Sequence, residues 1–286
     1  MNLGFCLWVW NRARSHGDEV DIMVHEAFLP FRKDAWRESV AAVVHRLMTV
    51  ILLRAATRIW YTTPAWEKLW RPYAFGRDLS WRWLPMPSNV PIVYDADAVH
   101  TVRSRFSRSG GLLIGHFGTF GRDLADLVVR ILAAVPPSVT QYDVLLIGPR
   151  GQLARDALIA IRPELAERVH TTGALRIEQV APYINACDLM LQPYTDGVTT
   201  RRTSFMAGLA LGRPTITTLG FQSEAFWSTS GAAIFGDPEA PALMAEEVVK
   251  LLANPEERAR IGAAGRSVYD ARFDIRHAVD ALHRSG

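Results

Sequence analysis

The chain has 286 residues, enough for one large or two ordinary domains with a full hydrophobic core. Hydrophobic residues make up 49% and charged residues 21%, a balance that excludes a disordered chain. A net charge of +3 gives no general field for a polyanion, so no nucleic-acid partner is expected; three lysines (Lys33, Lys68 and Lys250) leave 29 of the 32 basic residues as Arg.

The first ten residues read as part of a helix, apolar first and basic afterwards, the reverse of a secretory signal. Cys6 and Cys187 lie in apolar contexts without CxxC spacing, which fits buried, reduced thiols in a cytoplasmic protein. No metal-type His/Cys cluster occurs, so no metal site is expected. Residues 19–24 alternate into a strand that ends at His25-Glu26, before the Pro-broken loop AFLPF. Val40, Val43, Val44, Leu47, Val50, Ile51 and Ala55 give an apolar stripe to a helix running from about Trp36 to Thr57. That helix is interrupted by His45-Arg46 and Arg54, which favours a buried or interfacial helix over a membrane span. Residues 58–62 read as a strand, and Thr63-Pro64 opens a helix through Trp70.

Five of the nine Trp fall between Trp60 and Trp83, interleaved with Lys68, Arg71, Arg77 and Arg82. An aromatic-rich core edge is the favoured reading, while the same density permits sugar stacking or peripheral contact with a membrane surface. Pro85, Pro87 and Pro91 then stiffen the chain, and the domain boundary is placed there, giving domains 1–87 and 88–286.

From Leu112 strands and helices alternate. Strands are expected at 112–117, 144–148 and 188–192, with a short one ending at His170-Thr171. Helices lie between them, carrying Leu124 to Leu132, Leu153 to Ile161 and Ile177 to Ile184, and Asn254-Pro255 opens another near the end. Such repeats predict an α/β fold, a doubly wound parallel sheet that binds ligands at the carboxyl ends of its strands. Three loops fall on that edge: Gly118 to Gly121, Gly148 to Gly151 and Asp196 to Ser204. The turn at Ala174-Leu175 joins them. Glycine turns let backbone N–H groups approach a phosphate, although tight βα turns need Gly on steric grounds alone. In TDGVTTRRTSFMAGLALG, Thr199 or Thr200 is expected to cap a helix with Arg201-Arg202 in its first turn, a site for a phosphorylated ligand. A solvated Arg pair on an ordinary connection is the alternative, and the segment alone leaves the two open. Neither GxGxxG nor a Walker loop is present, against hydride transfer and NTP hydrolysis.

The run GHFGTFG, LLIGPRG, HTTGALRIEQVAPYINACDLMLQPYTDGVTTRRTSFMAGLALGRPTITT resembles the donor-binding half of group 1 glycosyltransferases, retaining enzymes of the GT-B fold, from about Ser88 to the end. The resemblance implies sugar transfer from a nucleotide sugar to a glycan or lipid-linked acceptor, with no further cofactor. It implies that Gly118, Thr119, Gly121, Gly197, Val198, Thr199, Arg201, Arg202 and Ser204 hold the donor diphosphate, and Gly148, Pro149, Ala174 and Leu175 the nucleotide. In the family two carboxylates with seven residues between them bracket the donor sugar; Asp196 matches the first, and Ser204 stands at the second. Thr119 stands where the family has a phosphate-binding Arg and no Lys follows, so Arg201-Arg202 are expected to supply the charge. His25, just after a strand, corresponds to a His that faces the donor sugar, making His25 and Asp196 the catalytic candidates. His116 is a weaker candidate, packed beneath the nucleotide.

The first domain of this fold usually opens with its own strand and glycine turn, and only roughly 85 residues stand before the linker here. The N-terminal part therefore reads as a partial Rossmann-like domain whose sheet edge a partner would cover. Two alternatives follow: a catalytically inactive relative that binds a nucleotide sugar or a partner protein, and a sugar-nucleotide epimerase, for which no carboxylate and His set can be assembled. The scarcity of lysines leaves no place for a phosphorylase's pyridoxal Schiff base.

Overall fold

The computed structural model describes residues 2–108 and 111–284. The chain divides into two compact units, Met1–Pro85 and Met86–Gly286. In the first, α1 (Leu3–His16), β1 (Asp21–Val24), α2 (Trp36–Ala55), β2 (Arg58–Tyr61), α3 (Pro64–Trp70) and β3 (Ser80–Trp83) follow one another. The three strands form a parallel sheet in the order β1-β2-β3, with Ile22 level with Ile59 and Ile59 level with Trp81. Trp60, Trp66 and Trp70 are buried, so most of the Trp-rich stretch is core, and Trp66 and Trp70 pack with Val24, Leu53, Ile59 and Leu79. Exposed apolar side chains concentrate elsewhere in this unit, on α1 (Phe5, Trp8) and along α2 (Trp36, Val40, Val43, Leu47).

The second unit contains α4 (Ala96–Phe106), β4 (Leu112–Phe117), α5 (Arg122–Ala134), β5 (Tyr142–Ile147), α6 (Gly151–Ile161), β6 (Val169–Thr171), α7 (Val180–Ala186), β7 (Leu189–Gln192), α8 (Thr203–Ala210), β8 (Thr215–Thr218), α9 (Ala225–Ser230), β9 (Ile234–Gly236), α10 (Pro241–Ala253), α11 (Pro255–Arg272) and α12 (Ile275–His283). Its six strands are all parallel, in the order β6-β5-β4-β7-β8-β9. Because successive strand residues face opposite sides, one apolar strand sequence feeds two cores. Ile114, Val144, Leu146, Leu189 and Leu191 pack with Leu127, Ile131, Val248 and Leu251 of α5 and α10. Leu113, Leu145, Ile147 and Met190 pack on the other face with Val99, Val102 and Ile184 of α4 and α7.

Helix starts follow local chemistry. Asp95 caps α4 by accepting from the Ala98 N–H at 3.0 Å, and Asn254 caps α11 through the Glu257 N–H at 2.9 Å, with Pro255 next. Helix α8 departs from expectation. It begins at Thr203, and neither Thr199 nor Thr200 caps it; Arg202 occupies the cap position without a side-chain bond. The Thr200 N–H and hydroxyl instead both donate to the Glu224 carboxylate. No described helix is long and apolar enough to cross a membrane.

Candidate donor site at the sheet switch point

In the second unit the chain leaves β4 for β5 and β6 on one side and returns with β7, β8 and β9 on the other. The order reverses between β4 and β7, and open parallel sheets bind ligands in the crevice outside the carboxyl ends of strands at such a point. The loops there are knitted together. Gln192 Nε2 at the end of β7 donates to the Phe117 carbonyl at the end of β4, 3.1 Å away. The Gly118 N–H reaches the Ile147 carbonyl at 3.1 Å, and the Gly148 N–H reaches Thr172 Oγ1 at 3.1 Å. Gly148 also bridges Gly173, so the turn carrying Ala174 and Leu175 lies beside Gly148 and Pro149. A Cβ on Gly148, whose φ is +131°, would lie 2.1 Å from the Gly118 oxygen, a close approach that requires glycine.

Arg201 and Arg202 precede α8 rather than standing in its first turn. Both are held by Asp196: Arg201 Nη2 lies 3.2 Å from Oδ2, and Arg202 Nη2 pairs with Oδ1. The three side chains keep only 12%, 22% and 18% of their surface open for Arg201, Arg202 and Asp196, so the pairs sit at a half-buried rim rather than in free solvent. The cluster stands at the amino end of a helix whose first turn bears no acid. Arg202 also lies over the Tyr194 ring, 4.5 Å from its centre, and Tyr194 Oη shares a 2.9 Å hydrogen bond with Ser204 Oγ. Gly197, at φ +87°, packs against Gly220, and Val198 is buried with its N–H on the Thr218 carbonyl at 2.8 Å.

Three residues escaped the sequence reading. Arg122, in the first turn of α5, and Arg150, which precedes α6 in the left-handed conformation, are both exposed, and neither has an ion pair among the described residues. They line a groove of about 480 Å³ between α5 and α6. The third is Glu224, just ahead of α9. Among the expected residues, Thr119 and Gly121 are exposed in the turn after β4, while His25 follows β1 in the other unit with its side chain exposed and its carbonyl bonded to Trp66 Nε1 at 3.0 Å. Among the described residues no group of three His, Cys, Asp or Glu side chains could hold a metal ion.

His116 is buried on β4, with Nδ1 2.7 Å from the Leu191 carbonyl and the ring edge-on to Phe120 at 4.9 Å. A carbonyl only accepts, so Nδ1 carries the proton and Nε2 is left without a partner among the described residues. Burial pushes its pKa down to about 4, against the opposing bond to Leu191. The sign follows: the unfolded chain takes up this proton near pH 6.5 and the folded one only near 4, so stability is full above 6.5 and falls between the two values by roughly 3 kcal/mol. Denaturant titrations from pH 7.5 to 4 are expected to show that loss in the native chain and a shallower one in His116→Gln.

Residues 111–254, just over half of the 286-residue chain, match the family described as glycosyl transferases group 1. The chain belongs to the group 1 glycosyltransferases. Solved structures place the fold as GT-B. Anabaena HepE in complex with UDP-glucose is 15% identical with a TM-score of 0.73, over 99% of this chain and 76% of that one. Sucrose-phosphate synthase from Thermosynechococcus elongatus is 18% identical with a TM-score of 0.70, over 96% and 70%. WaaG, a glycosyltransferase involved in lipopolysaccharide biosynthesis, is 14% identical with a TM-score of 0.69, over 97% and 81%. No curated protein matches the chain.

Proposed function

We propose that this group 1 glycosyltransferase moves a sugar from a nucleoside diphosphate sugar to a glycan or lipid-linked acceptor with retention of anomeric configuration. The observation that carries the reading is the Asp196–Arg201–Arg202 cluster at the amino end of α8, beside the switch point of the parallel sheet. An incoming diphosphate offers the guanidiniums bidentate oxygens in place of one shared carboxylate. Asp196, released from them, then accepts hydrogen bonds from the donor sugar. Backbone groups of Gly118, Thr119 and Gly121 and the side chain of Arg122 meet the diphosphate from the β4 side, supplying charge that the glycine turn itself lacks. Gly148, Pro149, Ala174 and Leu175 carry the nucleoside. The leaving diphosphate oxygen gains negative charge as the sugar becomes oxocarbenium-like, and the helix terminus and the arginines stabilise it most at that moment. That HepE has been crystallised with UDP-glucose makes this donor the first probe.

A specific observation favours a second reading, a relative that binds a nucleotide sugar without transferring it: Ser204 stands at the family's second carboxylate position and is already bonded to Tyr194. One experiment separates the two. Calorimetry with UDP-glucose and other nucleotide sugars measures binding, and released nucleoside diphosphate measures turnover, with the product anomer read by NMR. Arg201→Ala and Arg202→Ala are each expected to weaken donor binding about tenfold or more, the worth of a charge-assisted bond. Unchanged affinity in both would remove the arginines from the site.

A further inference from the structure

We infer that Glu224 is the positioning residue of the donor loop, fixing the segment from which Arg201 and Arg202 project. The inference rests on the reading of residues 193–204 as the diphosphate site. Glu224 belongs to a different loop, the one after β8, and reaches that segment because β8 lies next to β7 in the sheet. Its carboxylate accepts the Thr200 N–H with both oxygens, at 3.1 and 3.2 Å, the Thr200 hydroxyl at 2.8 Å, and Trp227 Nε1 at 2.7 Å. Hydrogen bonds to a carboxylate are the strong ones, and three donors converge on this one.

The far end of the link is rigid. Trp227 is fully buried, edge-on to Phe205 of α8 at 5.2 Å and inclined to Phe273 at 5.4 Å. Glu224 therefore joins the residue before the twin arginines to an aromatic core that also supports the helix after them. The first half of the loop is tied separately. Tyr194 exchanges two bonds with the Thr218 hydroxyl, Val198 donates to the Thr218 carbonyl, and the Gln222 N–H reaches the Asp196 carbonyl at 3.1 Å. Glu224 makes no ion pair with either arginine: its oxygens serve Thr200 and Trp227, and the guanidiniums go to Asp196. The carboxylate thus acts through the backbone at Thr200 and has no part in the chemistry. A site held by such supporting bonds binds without the entropy of ordering a loop, which is where loss of the bond is felt.

Glu224→Gln keeps the length but turns an NH2 group toward donors, and Glu224→Ala removes every acceptor. Hydrogen exchange in the ligand-free protein reads positioning directly: amides of 199–202 are expected to exchange at least tenfold faster in Glu224→Gln and faster still in Glu224→Ala. Titration with UDP and steady-state kinetics then read its consequence. UDP affinity and the donor KM are expected to worsen about tenfold in Glu224→Gln, with partial rescue relative to Glu224→Ala and no change in the acceptor KM. Thr200→Val is expected to be non-additive with Glu224→Gln, since both cut one link. Unaltered exchange at 199–202 in Glu224→Gln overturns the inference, whatever the nucleotide does. Faster exchange in a protein that binds no nucleoside diphosphate upholds the positioning role and overturns the donor-site reading instead.

Discussion

Asp196→Asn is expected to lose two to three orders of magnitude in turnover while binding free nucleoside diphosphate about tenfold more tightly. The two effects have one origin. Asp196 is the counter-ion of both Arg201 and Arg202, and the three side chains are largely withdrawn from water. At the effective dielectric of such a rim, two unit charges about 4 Å apart interact by roughly 4 kcal/mol, most of which offsets their lost solvation. Removing the carboxylate takes away the counter-ion that both guanidiniums share, and a diphosphate is the anion that the site is proposed to receive. A tenfold gain corresponds to about 1.4 kcal/mol, well inside what the loss of one competing carboxylate can supply. Turnover falls because Asn cannot accept from the sugar hydroxyls with a full charge, and because a product that leaves slowly keeps the site occupied. Calorimetry with UDP and a rate assay with UDP-glucose measure the two halves. A variant that binds UDP more weakly would show that Asp196 itself contacts the diphosphate or orders the loop, and the proposed exchange of partners would fail.

Strands β4, β5 and β7 of the second unit were legible because each is a short, nearly continuous apolar run with Gly or Pro at its end, the pattern of a strand buried on both faces, whereas β9 went unread. Other elements were hidden by their composition. In α4 the buried positions Val99, Val102 and Phe106 are scattered among Asp, His, Ser and Arg, directly after a Pro-rich stretch. In β3 the alternating Trp81 and Trp83 belong to a stretch read as an aromatic-rich core edge, with no strand assigned to it. The cap of α8 was misplaced for a different reason. Thr199 and Thr200 have the right chemistry, but a cap is decided by which partner the hydroxyl finds, and Glu224, 24 residues on, takes Thr200 first. The same separation concealed Glu224 itself. Nothing local marks it, and only the adjacency of β7 and β8 brings the two loops together. Likewise the sequence places Asp196 near two arginines without saying that they neutralise one another, since a contact between residues five and six apart in a loop depends on the fold of that loop.

Gly148→Ala is expected to be the most damaging single methyl group in the site, and Gly173→Ala is its control. Both glycines have positive φ, and they bridge each other across adjacent turns. At Gly173, with φ +70°, an added Cβ meets nothing within 4 Å. Its cost is the left-handed conformation alone, about 1 kcal/mol. At Gly148, with φ +131°, the Cβ would stand 2.1 Å from the Gly118 carbonyl oxygen. That neighbour is backbone, so relief requires moving the turn after β4 and breaking the bond from the Gly118 N–H to Ile147. A clash with fixed backbone added to a forbidden φ is expected to destabilise by about 3 kcal/mol or more. For a unit of this size each kcal/mol lowers Tm by about 2–4 °C. Gly148→Ala should therefore melt about 6–12 °C lower, and Gly173→Ala only about 2–4 °C. Nucleotide affinity separates them further, because displacing Gly118 spoils the approach of backbone N–H groups to the diphosphate, whereas Gly173→Ala leaves that turn in place. Equal melting points and equal UDP affinities in the two variants would mean that the turns after β4 and β5 are not in contact in solution, and with that the assembled rim of the donor site would be lost.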